Sequence, residues 1–247
     1  MNINKIGEQI LEICRRKGTD TKEDKREIYK LYRKLDELEI EKDEEGIDEI
    51  LALHHELCTT KGRKASYWEH EIGRLLINRL PYGIVLADEK PNTESYDILK
   101  EHYNENEDAR LALRLCGKLL KYAKTIIESK PDKSKRYTKR ITEALRWIDD
   151  LNHHYIIEGV RDIFMDFIQD KDDDVQFFAL EGLAHHYGFH DTKKMPKKEV
   201  KIFEEIIDNT KSSYNAVAAC QVLVNADKYN DWDAMATMDA WKERNWS

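Results

Sequence analysis

Residues 163–188 read IFMDFIQDKDDDVQFFALEGLAHHYG, and this stretch decides the fold. An apolar segment, Ile163 to Ile168, runs into an acidic turn around Asp170–Asp174. A second segment opens on Asp174 and Val175 and carries Ala179, Leu180 and Leu183 at helical spacing. The order is helix, tight turn, helix. Asn-Gly turns and runs of β-branched residues are nearly absent from the rest of the chain, so the whole reads as all-α.

Outward from this hairpin the same grammar repeats. Pro196 starts a helix to Asp208, Ser213 caps a partner helix to Ala226, and Asp231 begins a final helix to about Arg244. Toward the N-terminus, Tyr155–Gln169 and Tyr137–Leu151 read as helices, as does Asp108–Ser129, closed by Pro131. Thr93–Tyr103 is expected as a helix, and YGIVLADEKPN at 82–92 as a connector. Ser66–Leu80 ends at Pro81, Gly46–Cys58 carries Ile47, Ile50, Leu53 and Leu57, and Thr21 with Asp24 forms a variant capping box. Ile3–Lys17 puts Ile6, Ile10 and Ile13 on one face.

The helix starts at Ser66, Asp108, Asp174 and Ser213 lie 42, 66 and 39 residues apart. The first and third intervals fit a two-helix repeat of about 40–47 residues, and the middle one exceeds it by the lone Tyr137–Leu151 helix. Aligning Ser213 with Asp174 puts Ala218 on Ala179, Ala219 on Leu180 and Val222 on Leu183. Small residues there let helices approach closely. The pattern resembles a HEAT-type repeat, most clearly in residues 154–226. That resemblance implies an α-solenoid in one all-α domain, 1–247. Its expected parts are a helical cap (1–45), loose hairpins (46–130), an extra helix (131–152), HEAT-like hairpins (153–229) and a capping helix (230–247).

Composition agrees with thin helical layers. Charged residues make up 36% and hydrophobic residues 40%, while five Trp, twelve Tyr and six Phe argue against disorder. The net charge of −8 disfavours non-specific DNA binding by the whole protein and is compatible with a basic partner. Cys14, Cys58, Cys116 and Cys220 lack metal-type spacing and read as buried thiols in a reducing compartment. No stretch has membrane-spanning length and no leader is evident, so a cytoplasmic protein with no membrane contact is expected.

Candidate chemistry is sparse. Three His-His pairs occur, at 54–55, 153–154 and 185–186. Adjacent helical residues point about 100° apart, so one pair does not bind one metal from a helix. The expectation is one packed and one solvated histidine per pair, with no metal and no cofactor. The dipeptide His190-Asp191 is too short a signal to mark a site. Glu69, His70 and Glu71 read as residues of a solvated helix face. No phosphate loop or nucleophile motif is present. Catalysis is not expected, and a metal-dependent hydrolase built on the His pairs is the remaining enzymatic alternative.

Charge is strongly polarised along the chain. Residues 111–146 carry a balance of +8, including Arg114, Lys118, Lys121, Lys124, Lys135, Arg136, Lys139 and Arg140. Residues 147–191 carry −9, including Asp162, Asp166, Asp170, Asp172, Asp173 and Asp174. These two sets are the candidate partner-binding faces, basic and acidic. At the C-terminus, Trp232, Met235, Met238 and Trp241 recur at helical spacing, as a cap or an exposed ridge. The expected function is noncatalytic binding of a basic protein partner, as in a bacterial immunity or antitoxin-type protein or a regulatory adaptor. The alternative is nucleic-acid binding through the basic strip, in the manner of a HEAT-like DNA glycosylase.

Overall fold

Helix boundaries follow from the capping chemistry. In the computed structural model, which describes residues 3–16, 21–38, 44–79, 107–129, 135–154, 157, 159–189 and 195–246, eleven α-helices form. They are α1 (Ile3–Arg15), α2 (Lys22–Asp36), α3 (Glu44–Thr59), α4 (Arg63–Arg79), α5 (Glu107–Glu128), α6 (Lys135–His154), α7 (Val160–Met165), α8 (Asp173–Phe189), α9 (Lys197–Asn209), α10 (Ser213–Asn225) and α11 (Asp231–Trp246). No strand occurs among the described residues, so the protein is all-α. The expected Thr93–Tyr103 helix, the 82–92 connector and His190-Asp191 lie outside the described residues. No described helix is long and apolar enough to cross a membrane.

Thr21 caps α2 as expected, its Oγ1 accepting from the Asp24 amide at 3.0 Å. Several boundaries differ from the sequence reading: α3 starts at Glu44 rather than Gly46, α4 at Arg63 rather than Ser66, and α6 runs Lys135–His154 rather than Tyr137–Leu151. Ser212, not Ser213, is the N-cap of α10, and its Oγ accepts from the Asn215 amide at 3.3 Å. The helix expected over Tyr155–Gln169 shortens to α7, because Gly159 sits before it at a φ of 74°, a left-handed conformation that no helix interior accommodates.

The described residues form two compact units. The first lies within Met1–Ala87 and Tyr103–Tyr122, the second within Ala123–Ser247. In the first unit, α1 packs on α2, α3 and α4, and α3 packs on α4. Ile6, Ile10, Ile28, Leu35, Ile47, Leu57 and Ile72 fill its core. A buried ion pair ties α2 to α4, with Lys64 Nζ donating to Asp24 Oδ2 at 2.6 Å. That bond, helped by the Thr21 cap, holds the Asp24 carboxyl down at about 2.

In the second unit, α8 lies between α6 and α10, with α7 packed on α8, α9 packed on α10, and α11 against α10. These packed helix pairs are compatible with a helical repeat. Trp147, Phe164, Leu180, Leu183, Phe203 and Val222 fill the core, and Ala179 and Ala218 are both buried. Gly182 is a close approach: a Cβ there would stand 2.4 Å from Phe164 Cζ. Polar ties cross between neighbouring helices. Asn215 Nδ2 donates to Gln176 Oε1 at 2.7 Å, and Asn225 Nδ2 donates to the Ala184 carbonyl at 2.7 Å. Gln176 and Asn215 are separated by the same 39 residues as Ala179 and Ala218. Two positions 39 residues apart in the sequence therefore meet in space.

Candidate functional site

The face of α6, α8 and α10 left uncovered in the second unit gathers titratable and apolar groups. Between α8 and α10 lies a groove of about 490 Å³, lined by Phe177, Glu181, His185, Tyr214, Val217 and Gln221. Tyr214 is 74% exposed, and its ring meets Phe177 edge to face at 6.1 Å. Val217 and Gln221 also border a second groove of about 290 Å³ that continues to Met235 and Met238 on α11. The strip thus runs from His185 to Met238.

At the α6 end the chemistry is ionic. Asp149 on α6 pairs with His185 on α8, Oδ2 to Nδ1 at 2.9 Å. The bond to Asp149 raises the His185 imidazole above its ordinary value, against the opposing effect of burial. Burial pushes the Asp150 and Glu181 carboxyls up, and the Asp149 charge adds to both shifts. The His153 ring lies 4.3 Å from the His185 ring, tilted 52° to it, and meets Phe189 edge to face. The Arg146 guanidinium lies 5.8 Å above the Phe178 ring. Three carboxylates crowd together here while one imidazole and one guanidinium offset them. A cationic group entering from solvent would relieve that crowding.

The first unit carries a groove of opposite character. Its volume is about 910 Å³, and Arg26, Tyr29, Lys30, Arg63, Tyr67 and Trp68 line it. Tyr67 stands edge-on to Trp68 at 5.2 Å, and the Arg33 guanidinium lies 5.5 Å from the Tyr29 ring centre. Cations and exposed ring faces together suit an anionic, aromatic ligand.

The acidic set read from the sequence divides. Asp162, Asp166, Asp173 and Asp174 are exposed. Asp170 accepts from the Tyr137 hydroxyl at 3.0 Å and from the Asp172 amide at 2.9 Å. Asp172 accepts from Thr138 Oγ1 at 2.6 Å and from the amides of Asp174 and Val175, so it starts α8. The basic set divides too. Arg114 and Lys121 are exposed, Lys118 pairs with Asp48, and Lys124, Lys139 and Arg140 are half-buried. Lys135 and Arg136 fall at the start of α6, and their side chains lie outside the described residues.

Two ligand-type clusters escaped the sequence reading. Each unites groups from different helices, a relation that spacing along one helix does not show. His54, Cys58 and Glu69 converge in the first unit, and Asp149, His153 and His185 in the second, each set with its ligand atoms within 4.8 Å of one another. Glu69, expected on a solvated face, is instead fully buried, because it faces α3 across the packed α3–α4 pair. His54 is buried and His55 exposed, and of the third pair His186 is buried and His185 half-buried. All four cysteines are buried and none forms a disulfide.

In α11, Trp241 is buried, its Nε1 donating to the Thr210 carbonyl at 3.1 Å, while Trp232 is 79% exposed and Met235 is also exposed. One face of that helix docks and the other stays open. No protein-family model matches the chain, and no curated protein sequence or solved structure matches it.

Proposed function

We propose that this protein is a noncatalytic binding module that holds a basic segment of a protein partner across α6, α8 and α10. The observation that carries the reading is Glu181, which lines an aromatic and aliphatic groove with the charges of Asp149 and Asp150 behind it. A Lys or Arg side chain would lie among the carboxylates, and apolar neighbours would lie on Phe177, Tyr214 and Val217. This moves the acidic contact away from Asp162–Asp174, two of whose members already serve the start of α8. The 39-residue correspondence of Gln176 with Asn215 supports a HEAT-like repeat as the scaffold.

The test is selection of short displayed peptides against the full chain. Selected peptides are expected to combine Lys or Arg with nearby aliphatic residues. Glu181→Gln and Tyr214→Ala are each expected to weaken them roughly tenfold. Asp162→Asn is expected to leave them unchanged. Selection of acidic peptides, or binding indifferent to Glu181 and Tyr214, sinks the proposal.

A second reading rests on the first unit's groove. Arg26, Lys30 and Arg63 beside exposed Tyr29 and Tyr67 favour single-stranded nucleic acid, held by phosphate contacts and base stacking. Binding of a labelled single-stranded oligonucleotide, steeply weakened by salt and abolished by joint Arg26→Glu and Lys30→Glu reversal, is the expected result. An oligonucleotide that does not bind at low salt excludes this reading.

A further inference from the structure

His54, Cys58 and Glu69 serve neither groove, yet they bring together an imidazole, a thiol and a carboxylate with almost no solvent access. His54 and Glu69 are 0% exposed and Cys58 is 5% exposed. His54 and Cys58 stand four residues apart on α3, so both project to the same side of that helix. Glu69 comes from α4, which packs directly on α3. His54 Nδ1 lies 3.7 Å from Cys58 Sγ, and Cys58 Sγ lies 3.2 Å from Glu69 Oε1. The three ligand atoms fall within 4.8 Å of one another. The separations of 3.7 and 3.2 Å lie close to the roughly 3.5 Å that a tetrahedral ion imposes, given metal–sulfur and metal–nitrogen bonds of about 2.3 and 2.0 Å.

We propose that His54, Cys58 and Glu69 form a buried zinc site that joins α3 to α4. The ligand set selects the metal: a thiolate disfavours calcium and magnesium, and sulfur, nitrogen and oxygen together suit zinc. Charge points the same way. Binding removes the thiol proton of Cys58, which leaves to solvent. A dication with one thiolate, one carboxylate and one neutral imidazole is then uncharged, which makes burial tolerable. The Tyr122 hydroxyl, 2.8 Å from His54 Nδ1, is the group a bound ion would recruit as fourth ligand or displace in favour of water. The site is structural in kind, because its ligands are closed to substrate.

The test uses the full chain stripped of metal by chelator and titrated with cobalt(II). One equivalent is expected to give the visible bands of a tetrahedral site and a near-ultraviolet thiolate-to-cobalt band, both abolished by added zinc. Zinc is expected to raise the melting temperature of the wild type and to do nothing for Cys58→Ser, which also loses the thiolate band. If Cys58→Ser does not fold, Glu69→Gln, which keeps the side-chain volume, is expected to weaken cobalt binding at least about tenfold. A wild-type titration without a thiolate band overturns the proposal. So does a band that survives both Cys58→Ser and Glu69→Gln. Cobalt spectra that lack the thiolate band and vanish in His185→Ala would place the metal in the second unit and overturn the assignment here.

Discussion

The two units treat the same side-chain types in opposite ways. In the first, an imidazole, a thiol and a carboxylate are enclosed between α3 and α4, and the surface groove is basic and aromatic. In the second, two imidazoles and two carboxylates stand half-buried around the buried Asp149, and the groove beside them joins Glu181 to aromatic and aliphatic side chains. Packing geometry makes the difference. Face-to-face helices such as α3 and α4 enclose whatever lies on their inner stripes. Helices laid side by side, with others packed against them, keep one long face in solvent.

The largest effect that would break this picture lies in the core of the second unit. Phe164→Ala removes the ring seated on Gly182 and is expected to cost about 3–5 kcal/mol in denaturant unfolding. Gly182→Ala overpacks the same contact and is expected to cost about 1–3 kcal/mol. The two sites touch, so Phe164→Leu combined with Gly182→Ala is expected to cost less than the sum of its parts. Strict additivity would mean that the α7–α8 approach is loose. Ala179→Leu, at the repeat-equivalent tight position, is expected to cost about 1–3 kcal/mol, and an unchanged melting temperature would count against the repeat register.

The acid side sharpens the contrast. The Asp24 carboxyl is held at about 2 against an ordinary 3.8 by Lys64, so its stabilisation is present above 3.8 and is lost as pH falls toward 2. Lys64→Met is expected to flatten that part of the stability–pH curve. His185 works in the opposite sense. Its titration is raised by Asp149, so its contribution is present below the ordinary 6.5 and is lost as pH rises through the higher folded value. Asp149→Asn is expected to remove this alkaline loss, which is the smaller of the two because the His185 side chain stays 31% exposed to solvent. Smallest of all, Asp162→Lys with Asp166→Lys is expected to shift stability by no more than about 0.5 kcal/mol.

Much of the helical order was legible in the chain. Thr21 with Asp24 and Pro196 sit at helix starts as their chemistry requires, and Ala179 and Ala218 are both buried. What escaped depended on register between helices. The i, i+4 relation of His54 and Cys58 is visible in sequence, but Glu69 joins them only once α3 and α4 are aligned. Asp172 looked like one more surface carboxylate, though its position two residues before Asp174 also suits a helix start. Tyr214 and Val217 do carry a signal in the sequence. They are apolar residues outside the buried set of Ala216, Ala219, Cys220 and Val222, and such an excess marks a binding face. Gly159 gave no cue that it would end one segment and begin another.

A cation held against Glu181 on α8 is best probed by a reciprocal charge swap. With a selected Lys-containing peptide, affinity would be measured by calorimetry for the wild type, for Glu181→Lys, and for both proteins with the peptide lysine replaced by Glu. The account predicts that Glu181→Lys abolishes binding of the parent peptide and restores much of it for the Glu-substituted one. It also predicts that wild-type affinity rises as pH increases through the His185 titration, as the competing imidazolium loses its charge. Parent-peptide affinity unaffected by Glu181→Lys but lost in Asp162→Lys with Asp166→Lys would contradict it, and would return the acidic contact to the outer end of α7.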